Sequence, residues 1–154
     1  MAGVPRLPGC ALCEADGGDV VWRDDALRVI LPDEPDYPGF VRVVWNAHAA
    51  EMTDLSSRER ERLMAAVWSV ERVVRERLNP DKVNVASLGN LVAHVHWHVI
   101  PRWRDDRHFP APIWGAPAQG RDESIARRRD AVRSRVPGLR EALARALQEA
   151  ESAA

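Results

Sequence analysis

His94-Val95-His96-Trp97-His98-Val99-Ile100 alternates imidazole and apolar side chains. Successive side chains of a strand point to opposite faces. The spacing therefore predicts one long strand over residues 92–100, with His94, His96 and His98 on one face and Val95, Trp97 and Val99 on the other. Three of the five histidines in the chain fall within five residues. Three imidazoles on one face need polar partners if buried. The run thus has three readings: packed, hydrogen-bonded rings; metal ligands in the His-x-His pattern; or chemistry on phosphate, since a neutral imidazole is a good nucleophile near pH 7.

Outward from this strand the pattern is equally periodic. Residues 82–87 read as a strand, joined to the histidine strand by a tight connection at Leu88-Gly89-Asn90. Before it, Ser56 and Glu59 form the two ends of a capping box. Leu63, Val67, Val70 and Val74 then recur at helical spacing, widened by Met64, Trp68 and Leu78. Asn79-Pro80 ends that helix, because proline neither continues a helix nor tolerates one at the preceding residue. Residues 20–23, 26–31 and 40–45 read as three earlier strands, the last after a loop containing Pro32, Pro35, Pro38 and Gly39. Strands, one long helix, then two closely joined strands imply an α+β fold with a mainly antiparallel sheet. After Pro101 the regular pattern stops, and residues 109–115 are expected to be irregular. A weakly amphipathic helix is expected over residues 123–136, broken by Pro137-Gly138, then a final helix on which Leu139, Leu143 and Leu147 recur every four residues. The organisation expected is a flexible N-terminus (1–9), one domain (10–115) and a C-terminal helical extension (116–154).

At 154 residues, 45% hydrophobic and 29% charged, the chain is long enough for one core and too apolar for wholesale disorder. Its formal charge of −1 argues against charge-driven binding of a nucleic-acid polymer. From Arg102 onward there are 11 Arg against 8 Asp and Glu, a local excess that puts Arg102, Arg104 and Arg107 forward as donors to an anionic ligand, or simply as the Arg-rich habit of a chain whose sole lysine is Lys82. There is no apolar run of membrane-spanning length and no apolar signal stretch at the start, so the expected location is the cytoplasm. There, two cysteines are a reduced pair or metal ligands rather than a disulfide. Cys10-Ala11-Leu12-Cys13 has the spacing of half a zinc site, and it does not follow a strand as a thioredoxin-like pair would.

The run Gly89-Asn90-Leu91-Val92-Ala93-His94-Val95-His96-Trp97-His98-Val99-Ile100-Pro101-Arg102 resembles the signature of the histidine triad (HIT) family. The resemblance extends over residues 10–115: a Cys-x-x-Cys start, a strand ending near a histidine, a long helix, an Asn-bearing strand, then the triad. It implies a five-stranded antiparallel sheet with one long helix, usually in a homodimer, and a nucleotidyl hydrolase or transferase. The resemblance implies that His96 attacks the α-phosphorus of a nucleotide, that His98 contacts the phosphoryl oxygens and leaving group, and that the backbone carbonyl of His94 fixes the tautomer of His96. Asn84 and Asn90 match positions that touch phosphate or leaving group, and Asp33 a carboxylate that holds ribose. The zinc-bearing branch of the family implies a structural zinc on Cys10, Cys13, His48 and His94. A dinucleoside polyphosphate such as Ap4A is the implied substrate class. Three residues depart from the family pattern: Asn90 where Gln is frequent, Leu91 where Ser or Thr is frequent, and Phe40 where many members have His.

Two other readings compete. In one, His94, His96 and His98 ligate a catalytic zinc of a metallohydrolase. In the other, the chain is a zinc-stabilised nucleotide-binding module without turnover. Of the six tryptophans, Trp22, Trp45, Trp68 and Trp97 are expected in the core. Trp103 and Trp114 are candidates for core packing, an interface or stacking on a base. His108 is expected on a surface loop.

Overall fold

The computed structural model describes residues 5–152; the first four residues of the expected flexible N-terminus lie outside this range. Five strands form one antiparallel sheet: β1 (Asp19–Arg23), β2 (Leu27–Leu31), β3 (Val41–Trp45), β4 (Lys82–Ala86) and β5 (His96–Arg102). Their order across the sheet is β1-β2-β3-β5-β4, with every neighbouring pair antiparallel. A short helix α1 (Ala11–Glu14) precedes the sheet, the long helix α2 (Ser57–Leu78) links β3 to β4, and α3 (Asp122–Arg133) and α4 (Val136–Ser152) close the chain. This is the α+β, HIT-like architecture with a C-terminal helical extension that the sequence implies. Among the described residues no helix is long and apolar enough to cross a membrane.

α2 is defined at both ends by its sequence. Ser56 Oγ accepts from the Glu59 N–H while the Glu59 carboxylate accepts from the Ser56 N–H, which satisfies two otherwise orphaned donors. At the other end Asn79 takes a left-handed conformation (φ 48°) and donates its N–H to the Arg75 carbonyl. Leu63, Val67, Val70, Val74 and Leu78 are buried, as expected. Trp68 is not: it is 57% exposed. The buried stripe includes Ala66 and Val73, which swings its centre away from Trp68.

The two faces of the sheet do different things. One packs Leu27, Val29, Val41, Val43, Trp45 and Val99 against α2, with Trp22 and Trp97 partly buried at the margin. Leu139, Leu143 and Leu147 of α4 join the same core, so the C-terminal helices pack on this chain. Fully burying each such leucine stabilises the fold by about 1.5–3 kcal/mol. The opposite face carries Ile30 and Val44 beneath the cysteines, and Phe40 and Ile100 further along. The histidines occupy this second face.

Two boundaries differ from expectation. The helix break before α4 falls at Ser134 and Arg135, and Pro137-Gly138 lies inside the first turn of α4. Proline is compatible with a first turn because its missing N–H is unpaired there anyway. The connection between β4 and β5 is also longer than expected, covering residues 87–95, and β5 begins at His96. Residues 92–95 leave the ladder because their polar groups find other partners: His94 N–H donates to the Val92 carbonyl, Val95 N–H to the Ala49 carbonyl, and the His94 ring meets the Trp45 carbonyl.

Beyond β5 the chain is irregular from Trp103 to Arg121, and Asp106 organises it. Its carboxylate accepts from Arg102 Nε at 2.7 Å, from the N–H groups of His108 and Phe109 at 2.9 and 2.7 Å, and from the Tyr37 hydroxyl at 3.3 Å. Burial alone would raise the Asp106 pKa, but the Arg102 guanidinium and the two N–H donors hold it below the usual carboxylate range. Trp103 is buried in the main core, with the Arg128 guanidinium 5.2 Å above its ring.

Candidate active site and metal centre

The short α1 and the loop after β3 bring four donors together. Cys10, Cys13, His48 and His94 place their ligand atoms within 4.8 Å of one another. His94 Nδ1 lies 3.4 Å from Cys10 Sγ and 3.5 Å from Cys13 Sγ, and His48 Nδ1 lies 3.4 Å from Cys13 Sγ. A tetrahedral zinc with ordinary Zn–S and Zn–N bonds sets its sulfur and nitrogen ligands about 3.5 Å apart. The donor set therefore fits zinc in number, chemistry and spacing.

The tautomer of His94 fits as well. Its Nε2 lies 2.7 Å from the Trp45 carbonyl oxygen, which can only accept, so Nε2 carries the proton. Nδ1 then presents its lone pair to the cysteines, the arrangement in which a backbone carbonyl orients a metal-binding imidazole. Burial pushes the Cys13 thiol up, and a cation held by the four donors would reverse that by favouring thiolate. Arg28, which is buried, ties this corner to β2 by donating to the Leu12 and Asp16 carbonyls and to Asn46 Oδ1. The His48 N–H donates to the Pro5 carbonyl, so the chain ahead of α1 is hydrogen-bonded to the same loop.

His96 and His98 lie in β5, opposite Val44 and Arg42 of β3. Both are buried. Their ring centroids are 4.9 Å apart and nearly perpendicular. His96 Nδ1 lies 2.6 Å from the His94 carbonyl oxygen. A carbonyl cannot donate, so Nδ1 carries the proton and Nε2 holds a free lone pair. Burial lowers the pKa of His96 against a smaller opposing effect of that hydrogen bond, which keeps the ring neutral at pH 7. Burial, with His96 and Arg42 nearby, pushes His98 down to about 3. His98 Nδ1 is buried and has no hydrogen-bond partner among the described residues.

The expected single row of three rings is thus divided. His94 turns into the cysteine cluster, with its ring 5.3 Å from His48, because the backbone has left the strand ladder at that point. His96 and His98 remain on the strand. Phe40, the departure from the family pattern, is fully buried beside His98, with ring centroids 5.4 Å apart. Trp114, half exposed, also approaches His98, with ring centroids 5.1 Å apart. A cleft of about 490 Å³ opens beside Trp114, lined by Asn84, Ile100, Pro112 and Ile113. A larger recess of about 720 Å³ lies on the helical side, among Trp22, Trp45, Arg62 and Leu147, and holds none of the histidines or cysteines.

The other residues singled out by sequence are placed as follows. Asn84, on β4, accepts from Arg102 through Oδ1 at 2.7 Å. Asn90 and Leu91 are exposed in the β4–β5 connection, and Asp33 is exposed in the β2–β3 loop. Arg102 is buried and engaged by Asp106, Asn84 and the Ala111 carbonyl; Arg107 pairs with Asp36. His108 lies 2.6 Å from the Tyr37 hydroxyl. Arg42, which was not singled out, faces His98. Its signal was present: a lone charge inside the otherwise apolar run Phe40-Val41-Arg42-Val43-Val44-Trp45.

A five-stranded antiparallel sheet carrying a Cys₂His₂ cluster and two further histidines on one face defines the class of the molecule. The chain belongs to the HIT domain family, whose model matches residues 15–105. It is 33% identical over 105 residues to the "AP-4-A phosphorylase" of Mycobacterium tuberculosis, covering 64% of this chain and 54% of that protein. The chain thus spans about half the length of that curated relative. Among solved structures, a histidine triad protein from Marinobacter aquaeolei is 26% identical with a TM-score of 0.66, covering 92% of this chain and 100% of that one. A zinc-bound histidine triad family protein from Mycobacterium smegmatis shares the fold, with a TM-score of 0.56 at 22% identity over 95% of this chain and 98% of that one.

Proposed function

We propose that this protein is a nucleotidyl hydrolase or transferase that cleaves a phosphoanhydride or phosphoramidate bond at the α-phosphate of a nucleotide. The observation that carries this reading is the 2.6 Å contact from His96 Nδ1 to the His94 carbonyl. It commits the proton to Nδ1 and aims a neutral Nε2 lone pair away from its own backbone. In the proposed step, Nε2 forms a bond to the α-phosphorus while the bond from phosphorus to the bridging atom breaks, and that electron pair leaves with the departing group. Water or another acceptor then attacks the nucleotidyl-His96 phosphorus, loses its proton, and returns the P–N electron pair to Nε2.

His98 is the proposed donor to the phosphoryl oxygens and the leaving group. A fixed donor at such a position is worth about 10²–10³ in rate where measured. Asn84, Asn90 and Asp33 are the proposed contacts to phosphate, leaving group and ribose. The favoured substrate is a dinucleoside polyphosphate of the Ap4A type, in keeping with the name of the mycobacterial relative. Zinc on Cys10, Cys13, His48 and His94 is the proposed structural ion, and a reduced Cys₂ pair suits a cytoplasmic protein. Residues 10–115 form the proposed catalytic unit and 116–154 its helical extension. A homodimer is proposed as well; β4 is an open sheet edge and Trp68 an exposed aromatic, both available for a second copy.

A catalytic zinc on His94, His96 and His98 is disfavoured, because His94 Nδ1 is directed at the cysteines and His96 Nδ1 at a carbonyl. The alternative is a zinc-stabilised nucleotide-binding module without turnover. The test is intact-mass measurement after rapid quench with a dinucleoside polyphosphate. A nucleotidyl adduct on His96, absent in His96→Asn along with turnover, is expected. Full activity in His96→Asn would overturn the assignment, and nucleotide bound and released unchanged by the native protein would favour the module.

A further inference from the structure

Arg42 belongs to neither the metal cluster nor the histidine pair, yet it faces both His96 and His98. It is paired with His98 across the β3–β5 ladder, so the two side chains leave the same face. Its guanidinium carbon sits 5.1 Å from the Phe40 ring centroid, and that ring lies against His98. The Phe40 face thus acts as a platform that fixes the plane of the guanidinium.

Arg42 is sparsely bonded; Arg107 and Arg129 also bury an Nε without a hydrogen bond, but both pair with Asp36, whereas Arg42 stands opposite His98. The two fully buried arginines are each met by several acceptors: Arg28 by Leu12, Asp16 and Asn46, Arg102 by Asp106, Asn84 and Ala111. Arg42 Nε is buried with no hydrogen-bond partner among the described residues. Its nearest carboxylate is Glu34, 3.7 Å from Nη2, which is beyond hydrogen-bond distance. A strand-interior cation, 23% exposed, with donors unspent is costly unless something else meets them.

We propose that Arg42 is a substrate-binding residue that meets the negative charge of phosphate groups beyond the α-phosphate. The inference rests on the nucleotidyl-transfer reading and narrows it. Along this face the order is the metal cluster, then His96 opposite Val44, then His98 opposite Arg42. Arg42 therefore stands at the end assigned to the leaving group. When the bond from α-phosphorus to the bridging oxygen of an anhydride breaks, the electron pair stays on that oxygen, and the departing phosphate gains charge that a guanidinium fork meets well. A phosphoramidate departs instead as an amine after taking up a proton, and offers Arg42 nothing. The substrate class is accordingly a nucleoside or dinucleoside polyphosphate, in preference to a phosphoramidate.

The test separates binding from turnover. On a His96→Asn background, without added divalent cation or chelator, the affinities for ATP and AMP are measured by calorimetry. Arg42→Met is expected to lower the ATP-to-AMP affinity ratio about ten- to a hundredfold, the worth of a charged hydrogen bond, through loss of ATP binding. Arg42→Lys, which keeps the charge and most of the stem, is expected to lose several-fold. With His96 intact, kcat/KM of Arg42→Met should fall much further for a dinucleoside tetraphosphate than for adenosine 5′-phosphoramidate. An unchanged affinity ratio in both variants, or equal falls for the two substrates, overturns the role of Arg42. Failure of the parent reading is seen separately, as turnover that survives His96→Asn.

Discussion

His94 serves His96 and the cysteine pair at once. Its carbonyl oxygen lies 2.6 Å from His96 Nδ1, while its own Nδ1 lies 3.4 Å from Cys10 Sγ. The backbone makes the first contact, and the side chain, turned out of the strand row, makes the second. An ion held by the four donors would thus fix the carbonyl that orients His96, the proposed nucleophile.

Metal removal should act through stability. A ligand that binds only the folded state stabilises it by about 4 kcal/mol at a thousandfold excess over Kd. For a domain of this size each kcal/mol moves Tm by about 2–4 °C. Cys13→Ala should therefore abolish stoichiometric zinc and lower Tm by about 8–16 °C in a thermal melt. A chelator should do the same to the native protein, with activity declining as the fold loosens. An unchanged Tm and metal content in Cys13→Ala would remove the metal site.

The acid limb of stability should depend on His98. The unfolded imidazole titrates near 6.5, whereas burial, His96 and Arg42 push the folded one down to about 3. Between those values the unfolded chain binds a proton that the folded chain refuses, so stability is complete above pH 6.5 and falls as pH falls. From pH 7.5 to 5 the loss assigned to this ring is about 2 kcal/mol. Urea unfolding across that range should show His98→Asn lacking this part of the slope, with contributions from Asp106 and metal release common to both proteins. Parallel slopes would mean that the ring is not held neutral.

The periodic parts of this molecule were legible in its sequence because periodicity reflects burial. The capping box placed α2, the alternation around His96 and His98 placed β5, and the four-residue leucine spacing placed α4, whose packing on this core only the structure shows. The Cys-x-x-Cys pair, with the two histidines that the family resemblance supplied, anticipated the Cys₂His₂ donor cluster. The errors came where a long-range partner overrode local pattern. Local alternation makes His94 a third member of the strand row while the resemblance puts it with the cysteines, and the cysteines 81 and 84 residues earlier draw its ring away. Trp68 widens the apolar stripe expected for α2, but its angular position on the helix leaves it exposed. Arg42 is marked in the sequence as a lone charge in an apolar run, but what it faces is set by the residue across the ladder.

The Arg102–Asp106 pair should prove costly to break. Both side chains are almost wholly buried, and the carboxylate also holds the His108 and Phe109 N–H groups. Removing one partner leaves an uncompensated buried charge, which typically costs about 3–5 kcal/mol. Asp106→Ala should unfold at correspondingly lower denaturant. Tryptophan fluorescence should change as well, because Trp103 and Trp114 both sit in the segment that Asp106 organises. A variant with native stability would show that the loop is held by its other contacts.

The C-terminal helices supply the last prediction. Leu139 and Leu143 are fully buried within the same core as Leu63, Val67 and Val70 of α2. Arg135 reinforces the join by donating to the Leu78 carbonyl, and Arg140 pairs with Asp19 of β1. If residues 116–154 were only appended, Leu143→Ala would leave the sheet untouched. Because the core is continuous, the substitution should destabilise the whole chain by about 2–5 kcal/mol, the range for a buried leucine that leaves a cavity. The decisive measurement is hydrogen exchange in β3 and β5. Faster exchange there in Leu143→Ala is expected, since a cooperative core loses protection everywhere at once. Loss confined to α3 and α4 would instead make the extension an independent unit, and the histidine strand would then owe nothing to it.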